Sequence, residues 1–128
     1  MNRKLSLSEA FLVLLLSKIN DPRDIALVSG LTQREVYEIL EELVDEGLVL
    51  PRETGIIIKK TIYDLTSKGY DRALEIYARI KNDMLLVKEL LSNNRVIEAR
   101  ELISRYSGVI WLLKILKLID NETLRDFS

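Results

Sequence analysis

The stretch LTQREVYEILEELVDEGLV, residues 31–49, opens with a strong helix start and continues with an unusually acidic surface. Thr32 followed three residues later by Glu35 forms a capping box, and Leu31 and Val36 occupy the two positions of a hydrophobic staple. Val36, Ile39, Leu40 and Leu43 then make one apolar stripe at helical spacing, closed by Gly47. Off that stripe, Arg34 is the lone cation between Gln33 and Glu46, set against Glu35, Glu38, Glu41, Glu42, Asp45 and Glu46. The pattern predicts a helix over about residues 33–46, docked on a core by one face and acidic on the other.

Working upstream, Gly30 ends a preceding helix, because the residue past a helix end often takes a left-handed backbone that costs glycine nothing. That helix begins at Pro22, well suited to a first helical position after an Asp21 cap. Before it, Ser6 and Glu9 make another capping box, and residues 11–16 are apolar nearly all round, which predicts a helix buried at the centre. Downstream of Gly47 the period changes. Residues 48–52 and about 59–65 are rich in β-branched and aromatic side chains and predict an antiparallel hairpin joined through Glu53, Thr54 and Gly55. Pro51 limits its first strand to an edge or a short ladder.

A long helix follows from near Thr66, with Leu65 and Tyr70 as its staple. Its apolar residues recur at Tyr70, Ala73, Tyr77, Ile80, Met84, Val87 and Leu91, a heptad seam three repeats long. Asn93 and Asn94 end it. Two more helices are expected, divided at Gly108: one carries Val96, Ala99, Leu102, Ile103 and Tyr106, the other is the run VIWLLKILKLI, residues 109–119. Residues after Asp120 are expected to fray.

A chain of 128 residues, 48% hydrophobic, can bury a real core. Its net charge of -1 gives no global basic signature, so binding to a polyanion needs a local cluster of cations. The absence of cysteine and histidine removes thiolate nucleophiles, disulfides, imidazole bases and the usual zinc ligands. The carboxylates follow exposed helix faces rather than a convergent site, so neither an enzyme nor a cofactor is expected. No N-terminal segment has the order of a signal peptide, and the run 109–119 is too short to span a bilayer and carries Lys114 and Lys117. A cytoplasmic protein with no membrane partner is expected. The abundance of Ile, Leu, Glu, Lys and Arg, with a single glutamine, suits a thermophile.

Helix, helix, tight turn, helix, hairpin and helix is the order of a winged helix-turn-helix domain. GLTQREVYEILEELVDEGLV followed by YDLTSKGYDRALE resembles archaeal and bacterial winged-helix transcription regulators of the MarR and PadR kind, over roughly residues 7–80. In that kind an aromatic, then Leu-Thr, then Lys-Gly closes the wing strand and opens the next helix. The fold class expected is therefore mainly α with a small β-hairpin: a winged helix-turn-helix DNA-binding domain over 1–81 and a C-terminal helical dimerisation or partner-binding extension over 82–128.

The resemblance implies a sequence-specific, double-stranded DNA-binding regulator acting as a homodimer, with the helix at about 33–46 in the major groove. Only the first turns of such a helix face the groove, which singles out Thr32, Gln33, Arg34 and Tyr37. Gln33 and Arg34 suit base edges, Thr32 and Tyr37 suit phosphates, and the helix N-terminus favours an anion. Glu38 and Glu41 restrict how deeply it sits. In similar domains the wing, here 51–60, reaches the minor groove or flanking backbone, which makes Arg52, Lys59 and Lys60 candidate phosphate contacts; their other reading is to guard a strand edge.

Ile56, Ile57 and Ile58 depart from the polar, often basic wing tip of the family and point towards a partner subunit or another protein. Dimerisation is expected through Ile80, Met84, Val87 and Leu91 on the seam and Trp111, Leu112 and Ile115 on the apolar run, although the chain's own helices could cover the same stripes. Trp111 and Tyr106 are read as core in preference to an effector pocket. The alternative function is a winged-helix protein–protein interaction adaptor without specific DNA binding.

Overall fold

Side-chain caps set the order of the N-terminal elements in the computed structural model, which describes residues 3–127. Helix α1 spans Leu7–Leu16 and is buried along most of its length, from Glu9 to Leu15. Asp21 caps α2, Pro22–Ser29, by accepting from the Arg23 N–H at 3.0 Å, and Gly30 closes it with a φ of 75°. Thr32 caps α3, Gln33–Asp45, through a complete capping box: its hydroxyl accepts from Glu35 N–H at 3.1 Å, and its own N–H donates to the Glu35 carboxylate at 3.0 Å. Of the predicted stripe Val36, Leu40 and Leu43 are buried and Ile39 is half-buried.

The hairpin pairs β1, Val49–Thr54, with β2, Lys60–Leu65, in antiparallel register from Val49 opposite Leu65 to Thr54 opposite Lys60. Successive residues of a strand face opposite sides. Val49, Pro51, Leu65 and Tyr63 therefore share one face, on which Val49 and Tyr63 are buried; Leu50, Arg52, Lys60, Ile62 and Asp64 share the other. A further backbone bond, Tyr63 N–H to the Asn20 carbonyl at 3.0 Å, ties β2 to the loop before α2. The three isoleucines lie outside both strands. None is buried, because Gly55, at a φ of 98°, turns the chain away from the ladder before them.

Helix α4, Ser67–Ser92, starts in an N-terminal unit, Leu7–Ile76, and continues into a second unit made of the described residues of Met1–Ser6 and Tyr77–Ser128. In the first unit Glu9 is buried, and Arg72 of α4 donates to its carboxylate at 3.2 Å. The second unit adds α5, Val96–Ser104, α6, Ile110–Leu116, and α7, Asn121–Phe127. The long apolar run is shorter than expected as a helix, because Lys117 adopts a left-handed backbone with φ of 55° and stops α6. Where fraying was expected after Asp120 there is a helix: Asp120 accepts from the Thr123 N–H and hydroxyl, both at 2.7 Å, and caps α7.

Tyr106 is fully buried in the second unit, and its hydroxyl donates to Asp83 of α4. Burial, followed by the Asp83 carboxylate, pushes its phenol well above the ordinary value of 10.0. A raised pKa means the folded state holds the proton more tightly, so this contribution is complete below pH 10 and fades as pH rises beyond it. Tyr106→Phe is expected to cost about 1.5–3 kcal/mol at neutral pH, the worth of a hydrogen bond to a charged group. It should also flatten the alkaline loss of stability; urea unfolding at neutral pH and above pH 10 checks both.

Candidate nucleic-acid interface

Helices α2 and α3, the Gly30 turn between them and the hairpin carry the side chains that the sequence marks as candidates for duplex contact. At the start of α3, Gln33 and Arg34 are exposed, the Arg34 side chain at 89%. Its guanidinium meets Glu38 one turn on, Nε to Oε1 at 3.4 Å. Both partners are well solvated, so this pair is worth only a few tenths of a kcal/mol and leaves Arg34 able to change partners.

Thr32 is otherwise engaged. Its hydroxyl accepts the Glu35 N–H and donates to Glu35 Oε1 at 3.0 Å, and its own N–H meets the same carboxylate, so the cap of α3 already holds a carboxylate of the chain itself. Those backbone and hydroxyl bonds hold Glu35 below the ordinary carboxylate range, hence ionised, at the position where a phosphate would dock. Tyr37 is half-exposed, and together with Glu41 it lies close enough to Tyr63 to raise that phenol's pKa, after the larger effect of burial. Tyr37 thus sits between the start of α3 and the wing.

The wing cations are all paired, and the pairing adds two residues that sequence reasoning missed. Arg52 grips Asp64 across the strands, Nε to Oδ2 at 2.5 Å and Nη2 to Oδ1 at 3.4 Å. That bond holds Asp64 below its ordinary range against slight burial, with the charges of Arg52 and Lys18 in support. Lys60 reaches the cap residue Asp21 at 3.3 Å, and Arg23 reaches the same carboxylate oxygen at 3.5 Å. Burial raises Asp21, but the Arg23 N–H, Lys60 and the Arg23 side chain more than offset it, and the group stays ionised at neutral pH.

Four cations, Lys18, Arg23, Arg52 and Lys60, therefore surround two carboxylates, Asp21 and Asp64. The cluster carries excess positive charge in a stretch where carboxylates otherwise outnumber cations. Lys59 stands apart, paired loosely with Glu53 at 3.7 Å, both side chains about two-thirds exposed. Lys18 and Arg23 lie far from the wing in sequence; the one local hint of their role is that they flank Asn20, the residue to which β2 docks.

Of the residues expected to make a dimer, Ile80, Met84, Val87 and Leu112 are buried within the single chain. Of the heptad seam, Ala73, Ile80, Met84 and Val87 are covered by the chain's own side chains, Tyr77 and Leu91 are half-buried and Tyr70 is exposed. Leu91, Trp111 and Ile115 are half-buried, while Leu85, Leu86, Val96 and Ile97, outside the expected set, are exposed.

Among the described residues no helix is long and apolar enough to cross a membrane. No curated protein and no solved structure matches the chain significantly. A family model does match, over residues 7–69: the family described as sugar-specific transcriptional regulator TrmB. The match supports the helix-turn-helix regulator class that the motifs resemble and does not single out the MarR and PadR kind. The matched stretch covers α1 to β2 and the first residues of α4, the elements of a winged helix-turn-helix unit, and over it the chain is similar to that family of transcriptional regulators.

Proposed function

We propose that the chain binds double-stranded DNA sequence-specifically as a homodimer and regulates transcription, with α3 reading the major groove and the hairpin on flanking backbone. The observation that carries this reading is the cation-rich cluster of Lys18, Arg23, Arg52 and Lys60 on and beside the wing of a helix-turn-helix unit. Phosphates supply most of the affinity in such complexes, and a chain without a basic surface needs a focus of this kind. Gln33 and Arg34 are the base-reading candidates. Lys59, outside that cluster, is a further candidate for the DNA backbone, and Tyr37 lies between the two surfaces. Thr32 acts chiefly as a cap.

Selection from random duplex DNA followed by a salt titration tests the reading. The expected result is a palindromic site with half-sites about 34–36 Å apart and a steep fall of affinity with salt. Weak binding without enrichment would favour the adaptor alternative. Sugar specificity belongs to the description of the matched family, and the match does not extend over the second unit.

For the homodimer, the exposed Leu85 and Leu86 of α4 and Val96 and Ile97 of α5 are the surface proposed, with the half-buried Leu91, Trp111 and Ile115 in support. Ile97 is 74% exposed, so its replacement costs the subunit little stability. Ile97→Lys is expected to weaken self-association by at least about tenfold by placing a charge in an apolar contact, while leaving unfolding nearly unchanged. Sedimentation equilibrium across a concentration series reads the effect; an unchanged dimer would move the interface elsewhere.

A further inference from the structure

Ile56, Ile57 and Ile58 are 96%, 94% and 83% exposed, three consecutive large aliphatic side chains at the tip of the hairpin. Exposed apolar clusters mark contact surfaces, since an idle one invites aggregation. We propose that this tip is an apolar wedge that enters the minor groove of duplex DNA and unstacks a base step, kinking the duplex. The proposal rests on the DNA-binding reading above and adds to it a deformation of the target.

Shape and charge together select DNA as the occupant. A stable protein interface needs about 800 Å² from each partner, and three side chains on a convex tip offer far less. A wedge between bases needs only a tip, and apolar side chains of this kind are what minor-groove architectural proteins insert. Cations stand on both shoulders: Arg52 before the tip, Lys59 and Lys60 directly after it. Arg52 and Lys60 are held by Asp64 and Asp21, which leaves Lys59 as the cation placed for a phosphate flanking an opened step. The pair that Lys59 makes with Glu53, at 3.7 Å and well solvated, is weak enough to exchange for a phosphate. The tip also sits within the stretch that matches a DNA-binding regulator family.

The tip is built to hold its form. Gly55 has a φ of 98°, and a Cβ there would lie 2.1 Å from the Ile58 carbonyl oxygen, so that carbonyl folds directly over the glycine. A preformed tip loses less conformational entropy on insertion than a loose loop would. A step opened by it costs a few kcal/mol and is easiest at flexible pyrimidine–purine steps, which would add a base preference the wing reads without hydrogen bonds.

The test compares the full chain with the triple variant Ile56→Ser, Ile57→Ser, Ile58→Ser on the selected duplex, labelled at its ends for energy transfer and carrying a fluorescent base analogue beneath the wing. Wild type is expected to shorten the end-to-end distance and brighten the analogue. The variant should lose both signals and bind more weakly by at least about tenfold, the scale of one buried aliphatic side chain. Its salt dependence should be unchanged, because the phosphate contacts remain. Ile57→Val in an otherwise native tip should keep both signals. Equal bending and brightening by the triple variant would overturn the wedge while leaving the regulator reading standing, whereas a wild-type chain that binds no duplex would overturn both. A triple variant that turns monomeric in sedimentation, or wild-type binding to anionic vesicles that the serines abolish, would overturn the wedge in favour of another occupant.

Discussion

Gly69→Ala is expected to destabilise the N-terminal unit by about 3–4 kcal/mol, a large part of a typical domain's 5–15 kcal/mol. The added Cβ would lie 1.9 Å from the Leu48 carbonyl oxygen and 2.8 Å from its carbon, both backbone atoms that cannot swing aside. The same carbonyl accepts the Thr66 N–H at 3.0 Å. Thr66 also donates its hydroxyl to the Gly47 carbonyl at 2.7 Å and accepts the Gly69 N–H at 3.0 Å. Two bonds thus stitch the start of the wing to Thr66, and a third fixes Thr66 on the start of α4. The methyl group would pry the two apart, adding lost hydrogen bonds to the overpacking penalty.

The sign of the effect is diagnostic. In an ordinary helix, alanine for glycine stabilises by up to about 1 kcal/mol, so a gain at position 69 would deny the close approach. Gly108→Ala is the matched control. Nothing stands within 4 Å of its Cβ position, and the expected change is neutral or a gain of up to about 1 kcal/mol. Urea unfolding of both variants decides the matter.

This contact also explains why the Leu-Thr and Lys-Gly pairs could be read in the sequence as one motif. Thr66 caps the helix and Gly69 admits the neighbouring backbone, two demands fixed at a three-residue spacing. The helix-turn-helix was legible for the same reason. The Asp21–Pro22 start, the Gly30 turn and the Thr32–Glu35 box are each satisfied within a few residues, so the chain announces them locally.

What escaped the sequence depended on distant contacts or on a question that periodicity cannot pose. The cation cluster forms because β2 docks on Asn20 and brings Lys60 to Asp21, a juxtaposition across 39 residues. The seam of Ile80, Met84 and Val87 has the same spacing whether its own chain or a partner covers it; here its own chain does. Helix α7 was within reach, since Asp120 and Thr123 have the spacing of a cap, but the polar C-terminal residues masked it.

Arg34→Ala is expected to weaken binding to the selected site by roughly 5- to 150-fold, the 1–3 kcal/mol of a good base contact, and to relax base preference at one position of each half-site. The acidity of α3 does not forbid this, because distance sorts its carboxylates. At 1.5 Å per residue, Glu42, Asp45 and Glu46 lie roughly 12–18 Å along the axis from Arg34, beyond the Debye length of about 8 Å at physiological salt. Glu35 and Glu38 lie within it, and Glu38 is the one in contact with the guanidinium. Glu38→Gln is therefore expected to tighten binding severalfold and leave the preferred sequence unaltered, since it removes a repulsion from the phosphates without removing a base reader. Competition between the selected duplex and its single-base variants distinguishes the outcomes. An equal loss on every sequence would make Arg34 a phosphate contact, and no loss at all would remove the start of α3 from the groove. Opposite signs for Arg34→Ala and Glu38→Gln, with discrimination lost only in the first, are the pattern that a shallowly seated recognition helix requires.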